Sequence, residues 1–234
     1  MLRTVKAGNE TITYELVQTA RSSVELRALP DGLRLFAPKR YPLRQADAFV
    51  AQRADWIRQA QARLNAYRDR EAERFPMTEG MEVPLEGERW TLRLEKAARR
   101  SARFEAGVIL LSGPDIFPDT VREQLRDALI ERAKERIAQR LDHYMPLIGR
   151  RPGRVTIREQ RTKWGSCSSQ GNLNFNWKLI MAPPEALDYV VIHELCHLYE
   201  FNHSPKFWER VARYQPDYAV WRDFLRSGWV HPYN

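Results

Sequence analysis

Alternating hydrophobic and polar positions dominate the first part of the chain. Residues 11–17 and 23–27 alternate as half-buried strands do, and residues 33–36 follow as a short strand after a turn at 30–32. Residues 43–74 are instead rich in Ala, Gln, Arg and Glu with scattered apolar positions. That pattern predicts a helical segment with room for one break.

The middle of the chain returns to strand patterning and then enters a long helix. Residues 90–94 and 108–111 read as strands, and two prolines, at 114 and 118, mark a boundary. From 119 to 145 apolar residues recur every four positions, which predicts an amphipathic helix. Its stripe comprises Val121, Leu125, Leu129, Ala133, Ile137 and Leu141.

This boundary predicts two domains, a strand-rich α+β region over 1–116 and a second domain over 117–234. No internal repeat is evident. In the second domain residues 155–157 and 172–177 alternate as strands. Pro184 is placed to open a helix, and Ser204 with Pro205 opens another, since Ser caps helices and Pro suits their first turn. A last helix is expected after residues 216–217.

Composition narrows the class of protein. The chain is 43% hydrophobic and 29% charged, as in soluble globular proteins, and no apolar run approaches the roughly 20 residues of a membrane-spanning helix. The first residues lack the apolar core of a signal peptide, which favours a cytoplasmic protein. Two cysteines, Cys167 and Cys196, cannot build a disulfide framework and suit a reducing compartment.

The net charge of +8 and the pI near 9.7 allow two interpretations. The charge is either a solvated arginine-rich face or a surface that contacts nucleic acid. The sequence does not indicate an oligomeric state.

The strongest chemical pattern is the segment His193-Glu194-Leu195-Cys196-His197, on the helix that Pro184 opens. Two histidines four residues apart share a helix face, so both imidazoles can reach one metal ion. Glu194 lies beside that face, where it can act as the base for a zinc-bound water. A catalytic zinc needs a third protein ligand, and His203, in the turn that ends the helix, is the candidate.

The histidines and glutamates of this region also allow interpretations other than a zinc site. The bare pattern also occurs where two histidines are solvated or packed in a core. Glu200 lies one turn past His197 and could bind the metal, although a surface or ligand-orienting role suits it better. Cys167 and Cys196 are expected to be packed thiols, and no functional role is assigned to His143, His231, Trp177, Phe207, Trp208 and Trp221.

Residues 161–208 resemble the YgjP-like metallopeptidases, relatives of the SprT-like and wider zincin peptidases. The resemblance rests on four segments, which are Trp164–Ser168, Asn174–Pro183, Asp188–His197 and Asn202–Trp208. It implies an α+β protein whose zincin-like catalytic domain has a backing helix, a small sheet and an active-site helix, preceded by the strand-rich N-terminal region. Glu200 stands where metzincins have a glycine, and no methionine turn follows, so metzincin membership is rejected.

The resemblance also implies a function. We expect a zinc-dependent metallopeptidase with one Zn²⁺ held by His193, His197 and His203, and with Glu194 as general base toward a protein or peptide substrate. The strand at 172–179 is a candidate edge for holding an extended substrate, although strand pairing within the protein would explain its pattern equally well. The oxyanion-stabilising residue is not identified, with Tyr214 and Tyr218 as guesses.

The alternative is a nucleic-acid-associated protein, either a protease that acts on DNA-linked proteins or a binding module with a structural metal. SprT-like relatives include proteases of the first kind, and phosphate contacts by basic side chains would make binding strongly salt-dependent. Two basic clusters fit this alternative. They comprise Arg150, Arg151, Arg154, Arg158, Arg161 and Lys163, and separately Lys96, Arg99, Arg100 and Arg103.

Overall fold

The chain divides into two compact units, Met1–Arg74 and Phe75–Asn234. The computed structural model describes residues 1–8, 10–29, 32–160 and 162–227, with backbone alone over 67–74. Part of the predicted turn at 30–32, Arg161 and His231 lie outside the described residues. Within the described part, no helix is long and apolar enough to cross a membrane.

The first unit is a four-stranded sheet followed by two helices. The strands are β1 (Leu2–Ala7), β2 (Glu10–Thr19), β3 (Glu25–Leu29) and β4 (Gly32–Pro38), in the order β1-β2-β4-β3. The helices are α1 (Leu43–Ala51) and α2 (Ala54–Arg74), so the predicted helical segment is broken once, at residues 52–53. Alternate residues of β2 and β4, among them Tyr14 and Leu35, are buried with Val50 and Ile57. The period of two thus places one sheet face in the core.

The second unit begins with another four-stranded sheet. Its strands are β5 (Glu82–Leu85), β6 (Glu88–Lys96), β7 (Ser101–Glu105) and β8 (Val108–Gly113), in the order β5-β6-β8-β7. Both four-stranded sheets pair antiparallel, parallel and antiparallel across their order. The two sheets therefore share one topology, although the sequence shows no internal repeat.

Helix α3 (Pro118–Ile148) is the backing helix of the second unit, and it carries the apolar stripe that the sequence predicted. All six stripe residues are buried, together with Gln124 and Ile148. The helix ends at Gly149, whose φ of 76° is the left-handed conformation that glycine adopts readily. Residues of β5, β6 and β8 belong to the same core as α3. The second compact unit therefore begins at residue 75, ahead of the predicted boundary at 116/117. That the catalytic domain itself begins at residue 117 stays a prediction.

A three-stranded sheet and three helices complete the second unit. Strands β9 (Val155–Arg158), β10 (Gly165–Cys167) and β11 (Leu173–Asn176) lie in the order β10-β11-β9, and a 3-10 helix follows over Trp177–Met181. The remaining helices are α4 (Pro184–Cys196), α5 (Pro205–Tyr214) and α6 (Tyr218–Arg226). The second unit thus contains the expected backing helix, small sheets and active-site helix α4, so the α+β class is confirmed.

Helix α4 is buried on nearly every side, and its first turn rests on the turn between β5 and β6. Glu86 and Gly87 have φ of 52° and 82°, as the two central residues of a tight hairpin require. A Cβ on Gly87 would lie 3.0 Å from the Pro183 Cα. Glu86 also pairs with Arg132 and Arg136 of α3, at 3.0 and 2.8 Å. This turn fixes the start of α4 against the backing helix.

Candidate active site

His193 and His197 lie at the C-terminal end of α4 and face one another. The helix ends at Cys196, and His197 caps it with helical backbone angles, φ −64° and ψ −17°. Because the residues are one turn apart, their Nε2 atoms come within 3.1 Å. The helix geometry expected from the sequence therefore brings both imidazoles to one point.

His203 reaches the same point from the turn that follows. Its Nε2 atom lies 3.1 Å from the His193 Nε2. The next residue, Ser204, caps α5 by accepting a hydrogen bond from the Phe207 N–H at 3.4 Å, as its sequence position predicted. One nitrogen from each of the three histidines lies within 4.8 Å of the others, and no further His, Cys, Asp or Glu of the described chain joins them.

The histidine tautomers follow from the groups around them. A carbonyl oxygen only accepts, so the His197 Nδ1–H donates to the Glu200 carbonyl at 2.9 Å and the Nε2 lone pair faces the cluster. The Tyr189 hydroxyl lies 3.4 Å from the His193 Nδ1. Burial, and then the two neighbouring histidines, lower the pKa of His193 to about 3, and burial also lowers the pKa of His197. Both imidazoles are thus neutral at pH 7.

Two aromatic residues of α5 hold the histidine rings. The Phe207 ring stacks on His197 at 4.5 Å and 28°, and the Trp208 ring stacks on His203 at 5.5 Å and 24°. Sequence reasoning had assigned neither residue a functional role. Their position directly after His203 was the available clue, because an imidazole in an exposed turn needs packing partners to keep one orientation.

Glu194 lies beside the cluster and is 4% exposed. Its Oε2 atom is buried without a hydrogen-bond partner among the described residues. Burial raises the pKa of this carboxyl to about 8, against an opposing effect of the Lys163 charge. A buried oxygen with no partner is costly, and such groups often serve a ligand.

Gly165 of β10 makes room for this carboxylate. A Cβ at that position would lie 2.5 Å from the Glu194 Oε1, closer than any side chain could tolerate. The residue belongs to the segment Trp164–Ser168 that the sequence had singled out, but its contact with Glu194 required the fold. Glycine here allows the strand backbone to pass directly over the glutamate.

The other candidates from the sequence lie apart from the cluster. Glu200 contributes its backbone carbonyl to His197, whereas its carboxylate is not among the converging groups. Burial raises the pKa of Cys196 to about 12 and that of Cys167 to about 11, so both are packed thiols as expected. His143 packs on Tyr144 of α3.

The two tyrosines considered for oxyanion stabilisation have other contacts. The Tyr214 hydroxyl donates to the Leu147 carbonyl at 3.2 Å. Tyr218 stacks on Trp208 with ring centroids 5.1 Å apart. Neither lines the pocket that opens beside the histidines.

The strand proposed as a substrate edge is interior to its sheet. β11 pairs with β10 on one side and with β9 on the other, and residues 177–181 are a 3-10 helix. That expectation is therefore wrong, because a strand with two partners has no free backbone groups to offer. The edges of this sheet are β9 and β10, and β10 is the edge strand that lies against Glu194.

Three histidines and a buried glutamate at the end of a helix, set in an α+β domain, define the site class of a metal-dependent hydrolase. Comparison with protein families identifies the family. The model of the YgjP-like metallopeptidase domain matches residues 22–228, so the chain belongs to the YgjP-like metallopeptidases. A metal ion, usually zinc, is implied by that family.

Two solved structures of archaeal metallopeptidase zymogens are also similar. Pyrococcus abyssi abylysin is 26% identical, with a TM-score of 0.36, over 38% of this chain and 90% of that one. Methanocaldococcus jannaschii jannalysin is 19% identical, with a TM-score of 0.36, over 40% of this chain and 90% of that one. A comparison with curated proteins found no match.

Proposed function

We propose that this protein hydrolyses peptide bonds with one zinc ion, held by His193, His197 and His203, and with Glu194 as general base. The observation that supports this most directly is the convergence of three imidazole nitrogens beside a buried carboxylate oxygen that has no partner. Family membership supplies the reaction class.

The donor set suits zinc. Neutral imidazole nitrogens are preferred zinc ligands, and three protein ligands leave one position open for chemistry. Zn–N bonds of about 2.0–2.1 Å in tetrahedral geometry place ligand nitrogens about 3.3 Å apart. The two measured Nε2 separations of 3.1 Å are close to that value. The Glu200 carbonyl would act as the outer partner that keeps the His197 lone pair directed inward.

The residues of the chain supply the proton transfers. A bound zinc ion would lower the pKa of water and polarise the scissile carbonyl. Glu194 accepts a proton from the attacking water, whose oxygen bonds to the carbonyl carbon. The same carboxyl then donates that proton to the amide nitrogen as the C–N bond breaks, releasing an amine and a carboxylic acid. Burial raises the pKa of this carboxyl, and the charge of a bound zinc ion would lower it again, so that the group can accept a proton at neutral pH.

The substrate would lie along β10. This strand pairs with β11 through residues 165–167 and, in the described part of the chain, has no strand on its other side. An extended peptide could add there by main-chain hydrogen bonds, close to Glu194. The absence of a side chain at Gly165 lets the backbone approach the carboxylate closely.

The test is a Glu194→Gln variant assayed with zinc. Because glutamine keeps the shape but cannot accept the proton, we expect zinc content to stay unchanged and peptide hydrolysis to fall about 10²–10⁴-fold. Glu209→Gln, an exposed carboxylate of α5, is the matched control and should keep full activity. Hydrolysis that persists in Glu194→Gln would refute the proposed mechanism.

Contact with nucleic acid is a second candidate, favoured by one observation. The described basic residues of the two clusters are exposed, including Arg150, Arg151 and Arg154 after α3 and Arg99 and Arg100 after β6. If they contact phosphates, the affinity for duplex DNA should fall steeply as salt rises. Binding measured in a salt series decides this, and an affinity that does not vary with salt would exclude it.

A further inference from the structure

The pocket beside the histidines is lined by an excess of basic groups. It has a volume of about 480 Å³ and contains His193, Glu194 and His203 in its wall. Three further lining residues are Lys163, Arg222 and Arg226, whereas Glu194 is the only carboxylate among the lining side chains that the structure describes. The remaining wall is mostly apolar, with Trp164, Trp208 and Leu225 among its members.

The two arginines face the pocket together from α6. They are four residues apart and therefore share one helix face. Both line the pocket together with Tyr189 and His193. Hydrogen bonding of the Trp164 Nε1–H to the Leu225 carbonyl, at 3.1 Å, ties this face of α6 to the segment that leads into β10.

Much of this positive charge is not neutralised. Arg222 uses its Nε to reach the Asp223 carboxylate at 2.9 Å. Lys163 and Arg226 form no ion pair with any residue that the structure describes. The apolar part of the wall lowers the local dielectric constant and so strengthens the attraction for an anion, while Lys163 and Arg226 themselves are exposed to solvent.

We propose that this pocket binds a carboxylate of the substrate, so that the enzyme selects peptides with an acidic group near the scissile bond. The inference rests on the proposed function, because it places that group beside the reacting atoms. The planar guanidinium of Arg226 can donate two parallel hydrogen bonds to one carboxylate, and Arg222 retains its terminal nitrogens for the same group. A neutral side chain would leave Lys163 and Arg226 without an ion-pair partner among the described residues.

Two sources of the carboxylate are compatible with this chemistry. One is an Asp or Glu side chain within the peptide, and the other is the free C-terminus of the substrate. The first would make the enzyme an endopeptidase selective for acidic residues, and the second would make it remove residues from chain ends. The experiment below separates them by capping.

Binding is measured first, in the zinc-loaded Glu194→Gln protein, by titration calorimetry with alanine heptapeptides. One set carries a single Glu or Gln walked through the sequence with both ends capped, and another has no acidic side chain but a free C-terminus. We expect the best Glu peptide, or the free C-terminus, to bind about tenfold or more tightly than its neutral counterpart. Equal affinities, or no binding by any peptide, would overturn the proposal.

Variants then locate the binding group. Arg226→Gln and Arg222→Gln should each reduce the preference for the acidic peptide about tenfold while the neutral peptide binds as before. Arg213→Gln, an exposed arginine of α5 outside the pocket, is the control of equal charge and should retain the preference. Equal losses in Arg213→Gln would show that net charge, rather than the pocket, is responsible, and would overturn the proposal.

Activity separates this inference from the proposed function. In wild-type enzyme the preference should appear in kcat/KM for the same peptides and decrease in Arg226→Gln. If Glu194→Gln hydrolyses peptides as fast as the wild type while the preference for carboxylates persists, the mechanism fails and the pocket assignment stands. If hydrolysis needs Glu194 but acidic and neutral peptides are cleaved equally, the pocket assignment fails and the mechanism stands.

Discussion

Glu194 depends on a residue whose only contribution is the absence of a side chain. Gly165 is half-buried in β10, and its neighbour in space is a carboxylate that, in the proposed mechanism, must keep one position to exchange protons with water and an amine. Displacements of about 1 Å at a catalytic group can cost about 100-fold in rate. The strand backbone and the glutamate therefore form one functional unit.

We predict that Gly165→Ala lowers kcat/KM about 100-fold while zinc binding is retained, because the new methyl group displaces the Glu194 carboxylate. The measurement is peptide hydrolysis together with zinc content. Gly113→Ala is the control, since its added Cβ would have nothing nearer than 3.4 Å. Unchanged activity in Gly165→Ala would show that the carboxylate can move without cost.

At the scale of elements, the active-site helix is attached to the backing helix by an ion pair. Arg140 of α3 donates to both carboxylate oxygens of Asp188 in α4, at 2.5 and 2.7 Å, and Tyr144 donates to Asp188 at 3.0 Å. The two charged side chains are only 29% and 16% exposed. Asp188 lies five residues before His193, so this contact fixes the rotation of α4 that presents the histidines.

Asp188→Asn should destabilise the protein by about 1–3 kcal/mol, because it weakens charge-assisted hydrogen bonds to a partly buried guanidinium. Denaturant unfolding measures the change. The matched control is Glu131→Gln, which breaks an exposed pair with Lys134 on the same backing helix. There we expect a change within about 0.5 kcal/mol. Equal effects of both substitutions would contradict a structural role for the Asp188 contact.

Helices and strands with a strong hydrophobic periodicity could be predicted from the sequence, whereas short elements could not. The stripe of α3 and the caps of α4 and α5 follow from residues close in sequence, and the structure has them within a few positions. The sequence did not predict β1, β5, β7 and β10, because these strands are short and hold few apolar residues; the alternating burial of β1 and β5 appears only once they are paired. Their strand conformation comes from pairing with neighbours.

At the scale of the whole molecule, zinc binding should be coupled to stability. Three ligands from a helix, its cap and the following turn come together only in the folded protein, so zinc favours the native state. At a free zinc concentration of 100 times Kd, we expect a gain of about 2.7 kcal/mol in the free energy of unfolding. Unfolding curves with zinc and with a chelator measure this gain.

Variants of the proposed zinc ligands and of Glu194, measured in the same unfolding experiment, show which side chains bind the metal. His193→Ala should lose the zinc-dependent gain, whereas Glu194→Gln should keep it. His203→Ala should lose most of it, because its imidazole completes the three-nitrogen cluster. A full zinc-dependent gain in His203→Ala would reassign the third ligand.

The sequence by itself determined the parts of this protein that depend on neighbours within one or two helical turns. The four-residue spacing of His193 and His197 places both on one face of α4, and the capping residues around Pro184 and Ser204 delimit the helices. Tertiary structure alone decided what meets that face. Several of these contacts join segments that are far apart in the chain. They place Gly165 over Glu194, the rings of Phe207 and Trp208 on the histidines, and the arginines of α6 in the pocket. Such contacts follow from how sheets and helices pack, which local spacing does not encode.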